Sequence, residues 1–266
     1  MLKEMLSYFN MTGQPFDKEI PTNQLVLLPT FANALSSLKL LVATRGIGVI
    51  TGKSGTGKSC VIRLLISSLN TGLYQPVYIC HTTVSSVDFY SHLAVAFGLE
   101  APGRKAALFR IVKDRILSLN KTSRVHPVLV IDEAHMLRNE ILAELRLLAN
   151  FEIDSYNALT IILCGQESLQ QKFGLTIMES LANSITINVP LESLEEEETF
   201  SYIEQRIKAM GAGNPLFTKP AIKFIHQASG GIIRGVGNIA MASIYKAFNE
   251  KAPMVEAEHV KMVISR

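Results

Sequence analysis

Apolar positions in this chain follow two alternating rhythms. Short runs rich in β-branched residues at 47–51, 76–80, 127–131, 159–164 and 185–189 predict strands. Around them, apolar residues recur at helical spacing near 31–44, 58–70, 87–97, 105–119 and 137–150, with a short helix near 167–173. Strands alternating with helices predict a parallel sheet covered on both faces, which is an α/β core. Sheets of this kind take their ligands at the carboxyl ends of the strands.

After Pro190 the strands stop and the pattern becomes wholly helical. Thr199 to Met210 carries Phe200, Ile203 and Ile207 on one stripe and ends at Gly211-Ala212-Gly213-Asn214-Pro215, and further helices are predicted at 218–229, 235–249 and 255–265. Residues 1–30 read as loop and short extended pieces, among them Gln14-Pro15-Phe16 and Leu25-Val26-Leu27-Leu28-Pro29. There is no internal repeat or low-complexity tract. The expected organisation is an N-terminal segment and helix over 1–45, an α/β nucleotide-binding core over 46–190, and a small helical lid over 191–266, with a hinge near 190–194.

Two of the predicted strands end in chemistry. Directly after Gly48-Val49-Ile50-Thr51 stands Gly52-Lys53-Ser54-Gly55-Thr56-Gly57-Lys58-Ser59, and a helix-like stretch from Cys60 follows. This is the pattern G-x-x-x-x-G-K-[ST] in its required setting. A glycine-rich turn points backbone N–H groups at a phosphate, and the helix adds the positive end of its dipole. Residues Gly52 to Cys60 are therefore candidate ATP contacts, with Lys58 on the β/γ-phosphates and Ser59 on Mg²⁺. The run Pro127-Val128-Leu129-Val130-Ile131 ends in Asp132-Glu133-Ala134-His135, which looks like a Walker B motif. Asp132 can hold Mg²⁺, and Glu133 can orient and deprotonate an attacking water. Glu133 also suits the first turn of the next helix through the helix dipole alone.

Composition narrows the class. At 266 residues and 48% hydrophobic, the chain can bury one large core or a core with a smaller appended domain. Its apolar stretches fall short of the roughly 20 residues of a membrane span, and the N-terminus has no secretory h-region. The three cysteines, Cys60, Cys80 and Cys164, lack metal-binding spacing and lie among apolar residues, which points to a reducing compartment, the cytoplasm. The net charge of +3 is too small to argue for nucleic acid by itself. Residues 101–126 nevertheless hold Arg104, Lys105, Arg110, Lys113, Arg115, Lys121 and Arg124 against Asp114 alone, either as a phosphate-binding stripe or as a solvated helix face.

Several segments together resemble the ExeA-like and TniB/TnsC-like AAA+ ATPases over nearly the whole chain. They are Gln14-Pro15-Phe16, the phosphate loop, Ile131 to His135, Glu144 to Glu152, Leu159 to Gln166, Tyr202-Ile203-Glu204-Gln205-Arg206, and Ser229-Gly230-Gly231 with Arg234. The resemblance implies an AAA+ P-loop NTPase core with a parallel sheet, followed by a small C-terminal helical lid. It also implies ATP and Mg²⁺ as cofactors and a homo-oligomer, either a ring or a helical filament. One branch energises secretion and carries a membrane helix and a cell-wall-binding domain beyond the ATPase. The other comprises transposition regulators that assemble on duplex DNA with ATP, mark a target and recruit or stimulate a transposase. The length of this chain, ending at Arg266, favours the second branch, a partner set of double-stranded DNA and transposase, and no membrane. A secretion accessory and a helicase loader are the alternatives. A small-molecule kinase is disfavoured by the Asp-Glu pair and by a lid that is not Arg-rich.

By the same resemblance, Gln166 is a sensor of the γ-phosphate and Arg234 reaches the nucleotide from the lid. Lys58, Glu133, Gln166 and Arg234 form the implied catalytic set, and Ser59 and Asp132 hold the metal. One departure matters. Relatives commonly read L-A-x-R-I where this chain reads Leu181-Ala182-Asn183-Ser184-Ile185, so the usual trans-acting arginine is Ser184 here. Slow hydrolysis is expected, or another donor such as Arg138, Arg146 or Lys172. In the transposition relatives, DNA meets the segments between the second strand and Walker B. Here these are His81 to Ser86 and Pro102 to Lys105, which makes Thr82, Thr83, Ser85, Arg104 and Lys105 the candidate DNA contacts. They suit sequence-tolerant, salt-sensitive phosphate binding. Thr82, Thr83 and Ser85 also suit a loop and a helix cap.

Overall fold

The computed structural model describes residues 1–101 and 103–265. In chain order the elements are α1 (Leu2–Tyr8), α2 (Pro29–Thr44), β1 (Ile47–Thr51), α3 (Lys58–Ser68), β2 (Tyr74–Ile79), α4 (Ser86–Ala96), α5 (Lys105–Ser118) and β3 (His126–Ile131). There follow α6 (Asn139–Ala149), β4 (Thr160–Gly165), α7 (Ser168–Phe173), α8 (Glu179–Ser184), β5 (Ile185–Pro190), α9 (Glu196–Ala209), α10 (Lys219–Ser229), α11 (Ile233–Asn249) and α12 (Ala257–Ile264). Every predicted strand and helix is present, with ends shifted by up to three residues. Two helices escaped the pattern. α1 lies in the stretch read as loop and extended pieces, and α8 lies in a stretch left unassigned. Neither helix exceeds seven residues, and neither has a side-chain cap hydrogen bond. Helices this short are marginal on propensity and owe their existence to packing. Met5 and Leu181, buried to 2% and 1% exposure, supply it.

The five strands pair in the order β2-β3-β4-β1-β5, and each pairing is parallel. β1, β3 and β4 are buried at every position, as a sheet covered on both faces requires. The order sets β4 between β1 and β3, so the chain positions after all three emerge at one edge.

Contacts divide the chain into two compact units. One contains residues 33–52 and 61–191, with the sheet and its helices. Its main core joins Val49, Leu129, Ile131, Ile161 and Leu163 of the sheet to Phe89, Leu93, Leu108, Val112, Leu142 and Leu145 of the helices. The other unit contains residues 1–32, 53–60 and 192 onward, so the N-terminal segment and the phosphate loop group with the C-terminal helices. Its core gathers Met5, Phe9 and Met11 with Ile203, Ile207, Ile222, Ile225, Val236, Ala240 and Ile244. Arg206 of α9 is 1% exposed and ties down the N-terminal segment, donating from Nε to the Pro15 carbonyl at 2.6 Å and from Nη1 to the Gln24 carbonyl at 2.8 Å. Burial lowers the pKa of its guanidinium, opposed by nearby Tyr202. Glu198 closes a capping box with Glu195 and accepts bonds from both the N–H and the hydroxyl of Thr30 at 2.8 Å. At Gly231, with φ +69°, a Cβ would fall 2.1 Å from the Leu194 carbonyl oxygen, so only glycine fits where this turn meets the approach to α9.

Candidate nucleotide-binding site

The phosphate loop is shaped by two left-handed glycines, Gly55 at φ +86° and Gly57 at φ +101°. A Cβ on Gly57 would lie 2.4 Å from the Phe31 ring, and one on Gly55 would lie 2.8 Å from Arg234 Cβ. The loop is therefore packed hard on one side and presents its backbone on the other. Thr56, 2% exposed, braces the turn by donating from Oγ1 to the Lys53 carbonyl at 2.9 Å. Lys58 is 8% exposed, and its Nζ donates to the same carbonyl at 2.8 Å. Lys58 and Ser59 open α3, where the first N–H groups have no partner within the helix and suit an anion. Arg234, near the start of α11, reaches this loop: its backbone N–H donates to the Gly55 carbonyl at 3.1 Å, and Nη1 lies 3.4 Å from Ser54 Oγ. The loop from Lys53 to Cys60 and Arg234 thus come together in one unit, with lysine and arginine cations beside oriented amides. That set fits a polyphosphate.

In the other unit, Gly52 follows β1, Asp132 and Glu133 follow β3, and Gln166 follows β4. Asp132 is 8% exposed, and both its carboxylate oxygens are engaged. Oδ1 accepts the Glu133 N–H at 2.9 Å, and Oδ2 accepts the Tyr78 hydroxyl at 2.8 Å. Burial first, and then this carboxylate, push the Tyr78 hydroxyl pKa up, so the phenol keeps its proton and donates it. Glu133 adopts a left-handed backbone at φ 51°, sparsely used by residues other than glycine, and its carbonyl accepts Thr82 Oγ1 at 3.1 Å. The Glu133 carboxylate, 53% exposed, stands 3.4 Å from His135 Nδ1, which also lies 3.4 Å from the Gln166 backbone nitrogen. A carboxylate, a hard base with oxygen donors, suits the hard cation Mg²⁺ in this position, and an exposed carboxylate beside it suits a base for water. Tyr78 and His135 are the residues that sequence reading left without a role. His135 sits inside the quoted motif. Tyr78 is a strand residue whose reach to Asp132 depends on β2 pairing with β3, which sequence alone does not give.

The candidate DNA contacts are placed unevenly. Thr82 is 3% exposed and engaged with Glu133, and Ser85 caps α4, accepting the Asp88 N–H at 3.2 Å. Lys105 pairs with Glu144 and lies 5.9 Å from the Tyr90 ring centre. Thr83 and Arg104 are exposed. Pro102 lies outside the described residues. In the basic stretch, Lys121 pairs with Glu152 and Lys113 donates to the carbonyls of Leu147 in α6 and Asn150 just after it, whereas Arg104, Arg110 and Arg124 are exposed without an ion pair among the described residues. Ser184, half-buried at the end of α8, bonds back to the Ser180 carbonyl at 2.8 Å. Of the substitute cations, Arg146 pairs with Asp154 and Lys172 donates to the Leu137 carbonyl at 2.7 Å, while Arg138 is exposed with no such partner among the described residues.

Residues 42–173 match the AAA domain family. The chain is 30% identical over 246 residues to the general secretion pathway protein A of Aeromonas hydrophila, covering 91% of this chain and 44% of that protein. It therefore spans less than half the length of that relative. Its fold is similar to Cdc6p from Pyrobaculum aerophilum, with a TM-score of 0.70 at 18% identity over 91% of this chain and 67% of the other. It is also similar to the Drosophila ORC bound to DNA, with a TM-score of 0.72 at 14% identity over 98% of this chain and 65% of the other. At such identities the solved structures show the fold alone. The chain has an AAA+ P-loop NTPase fold with a helical C-terminal part. Among the described residues, no helix is long and apolar enough to cross a membrane.

Proposed function

We propose that this protein is an ATP-dependent transposition regulator in the cytoplasm, oligomerising on duplex DNA to mark a target and to recruit or stimulate a transposase. The observation that carries the ATPase part is the loop from Lys53 to Cys60 with its left-handed glycines, Lys58 and Arg234. Lys58 and the amides opening α3 bind phosphate oxygens, and Arg234 reads the nucleotide from the lid. Ser59 and Asp132 are the oxygen donors for Mg²⁺, which when bound neutralises charge on the transferred phosphoryl group. Glu133 accepts the proton of the attacking water, and Gln166 senses the γ-phosphate. As functional parts we keep the division 1–45, 46–190 and 191–266, although by contacts residues 1–32 and 53–60 group with residue 192 onward.

Duplex DNA is supported by the exposed Arg104, Arg110 and Arg124 with Thr83, groups suited to phosphate contact in segments that offer no specific reason to read bases. A DNA-bound ORC of the same fold adds support. Ser184 in place of an arginine makes hydrolysis slow, and the ATP-bound assembly is then the functional state. A second reading, an ATPase accessory of secretion, is favoured by the identity to general secretion pathway protein A.

Anisotropy of a fluorescent duplex with ATP, ADP or no nucleotide, for wild type and Lys58→Ala, separates the two. Salt-sensitive binding that needs ATP and is lost in Lys58→Ala supports the regulator. No binding at low salt with ATP overturns it and leaves the secretion accessory.

A further inference from the structure

We infer that Tyr78 is a positioning residue for Asp132: its hydroxyl fixes the carboxylate in the orientation that takes Mg²⁺, an inference that rests on the nucleotide-binding reading above. β2 and β3 pair in parallel with Tyr78 opposite Val130, so Tyr78 and Asp132 lie on the same face of the sheet, two residues apart along the strands. Two residues of strand is about 6.6 Å, a span a phenol covers and a shorter hydroxyl does not. The ring stands at the sheet edge, 48% exposed, away from the core that Val77 and Ile79 enter. Its oxygen meets Asp132 Oδ2 at 2.8 Å, a normal length for a hydroxyl donating to a carboxylate.

The second oxygen is held differently. Oδ1 takes the N–H of Glu133, the next residue along the chain, at 2.9 Å. With one donor on each oxygen, rotation of the carboxylate is arrested, and each oxygen keeps an acceptor direction for the metal or its water. Ring packing does not require the hydroxyl, because Phe would fill the same half-exposed place. The hydroxyl serves Asp132.

Loss of a partner that orients a metal-binding carboxylate weakens metal affinity about 10-fold to 100-fold. The test titrates Mg²⁺ into wild type and Tyr78→Phe holding a fluorescent ATP analogue, starting from EDTA. The Mg²⁺ midpoint is expected to rise about tenfold in Tyr78→Phe, with analogue affinity in EDTA and the melting temperature unchanged. An unchanged or lower midpoint in the variant overturns the role of Tyr78 while leaving nucleotide binding intact. Wild type that fails to bind the analogue with Mg²⁺ overturns the nucleotide reading itself, and this inference with it.

Discussion

Replacing Arg206 by Met tests whether the N-terminal segment is held by a buried guanidinium. The substitution keeps a long apolar side chain and removes two hydrogen bonds, to the carbonyls of Pro15 and Gln24. Hydrogen bonds from a charged donor contribute about 1.5–3 kcal/mol each, which sets a gross loss of roughly 3–6 kcal/mol. Two terms offset it. The buried cation is itself disfavoured, as its lowered pKa shows, and its Nη2 is buried without a hydrogen-bond partner. Relieving an unsatisfied buried donor returns about 1–3 kcal/mol. The net destabilisation is about 2–3 kcal/mol, or a fall in Tm of roughly 5–10 °C for a chain of this size. Calorimetry measures the fall, and limited trypsin digestion followed by mass spectrometry measures whether Lys3 and Lys18 become cleavable first. Arg206→Met with unchanged Tm and an unchanged digestion pattern refutes the view that the guanidinium fastens this segment.

Glu133→Gln is expected to lower kcat for ATP by about 10²–10⁴-fold with nucleotide affinity retained, measured by single-turnover hydrolysis and equilibrium binding. Gly57→Ala introduces a Cβ 2.4 Å from the Phe31 ring at a positive φ, so ATP binding measured by calorimetry is expected to be lost. Ser184→Arg is expected to raise turnover in the assembled protein and Arg138→Ala to lower it, each read as ATPase rate against protein concentration. His126 is buried between Asn120 and Thr160, and desolvation lowers its pKa from 6.5 to about 4. The unfolded chain then binds the extra proton between those values. Stability is full above pH 6.5 and falls as the pH drops toward 4, by up to about 3 kcal/mol. Urea midpoints across that window should flatten in His126→Gln.

The sheet and its helices were legible because periodicity and burial coincide. Val128 to Ile131 is a continuous apolar run and is buried throughout. The phosphate loop was legible because its glycines are demanded by backbone geometry that no other residue meets without strain. Contacts made at long sequence separation were not legible. Tyr78 meets Asp132 across 54 positions, and Arg206 meets Pro15 across 191. Thr82 had two readings, exposed phosphate contact or loop support, and its burial follows from a bond to Glu133 that depends on the chain reversal after β3. The basic stretch had two readings as well. Its lysines find carboxylates and carbonyls on and after α6, while its exposed arginines do not.

An ATP-bound assembly on duplex DNA is what separates a transposition regulator from a secretion accessory. Sedimentation of Glu133→Gln with ATP on duplexes of increasing length shows whether it forms, because that variant holds the unhydrolysed state. Particles that grow with duplex length in ATP and are absent in ADP are expected. Protein that sediments as the same small species on every length, or apart from DNA altogether, contradicts the claim.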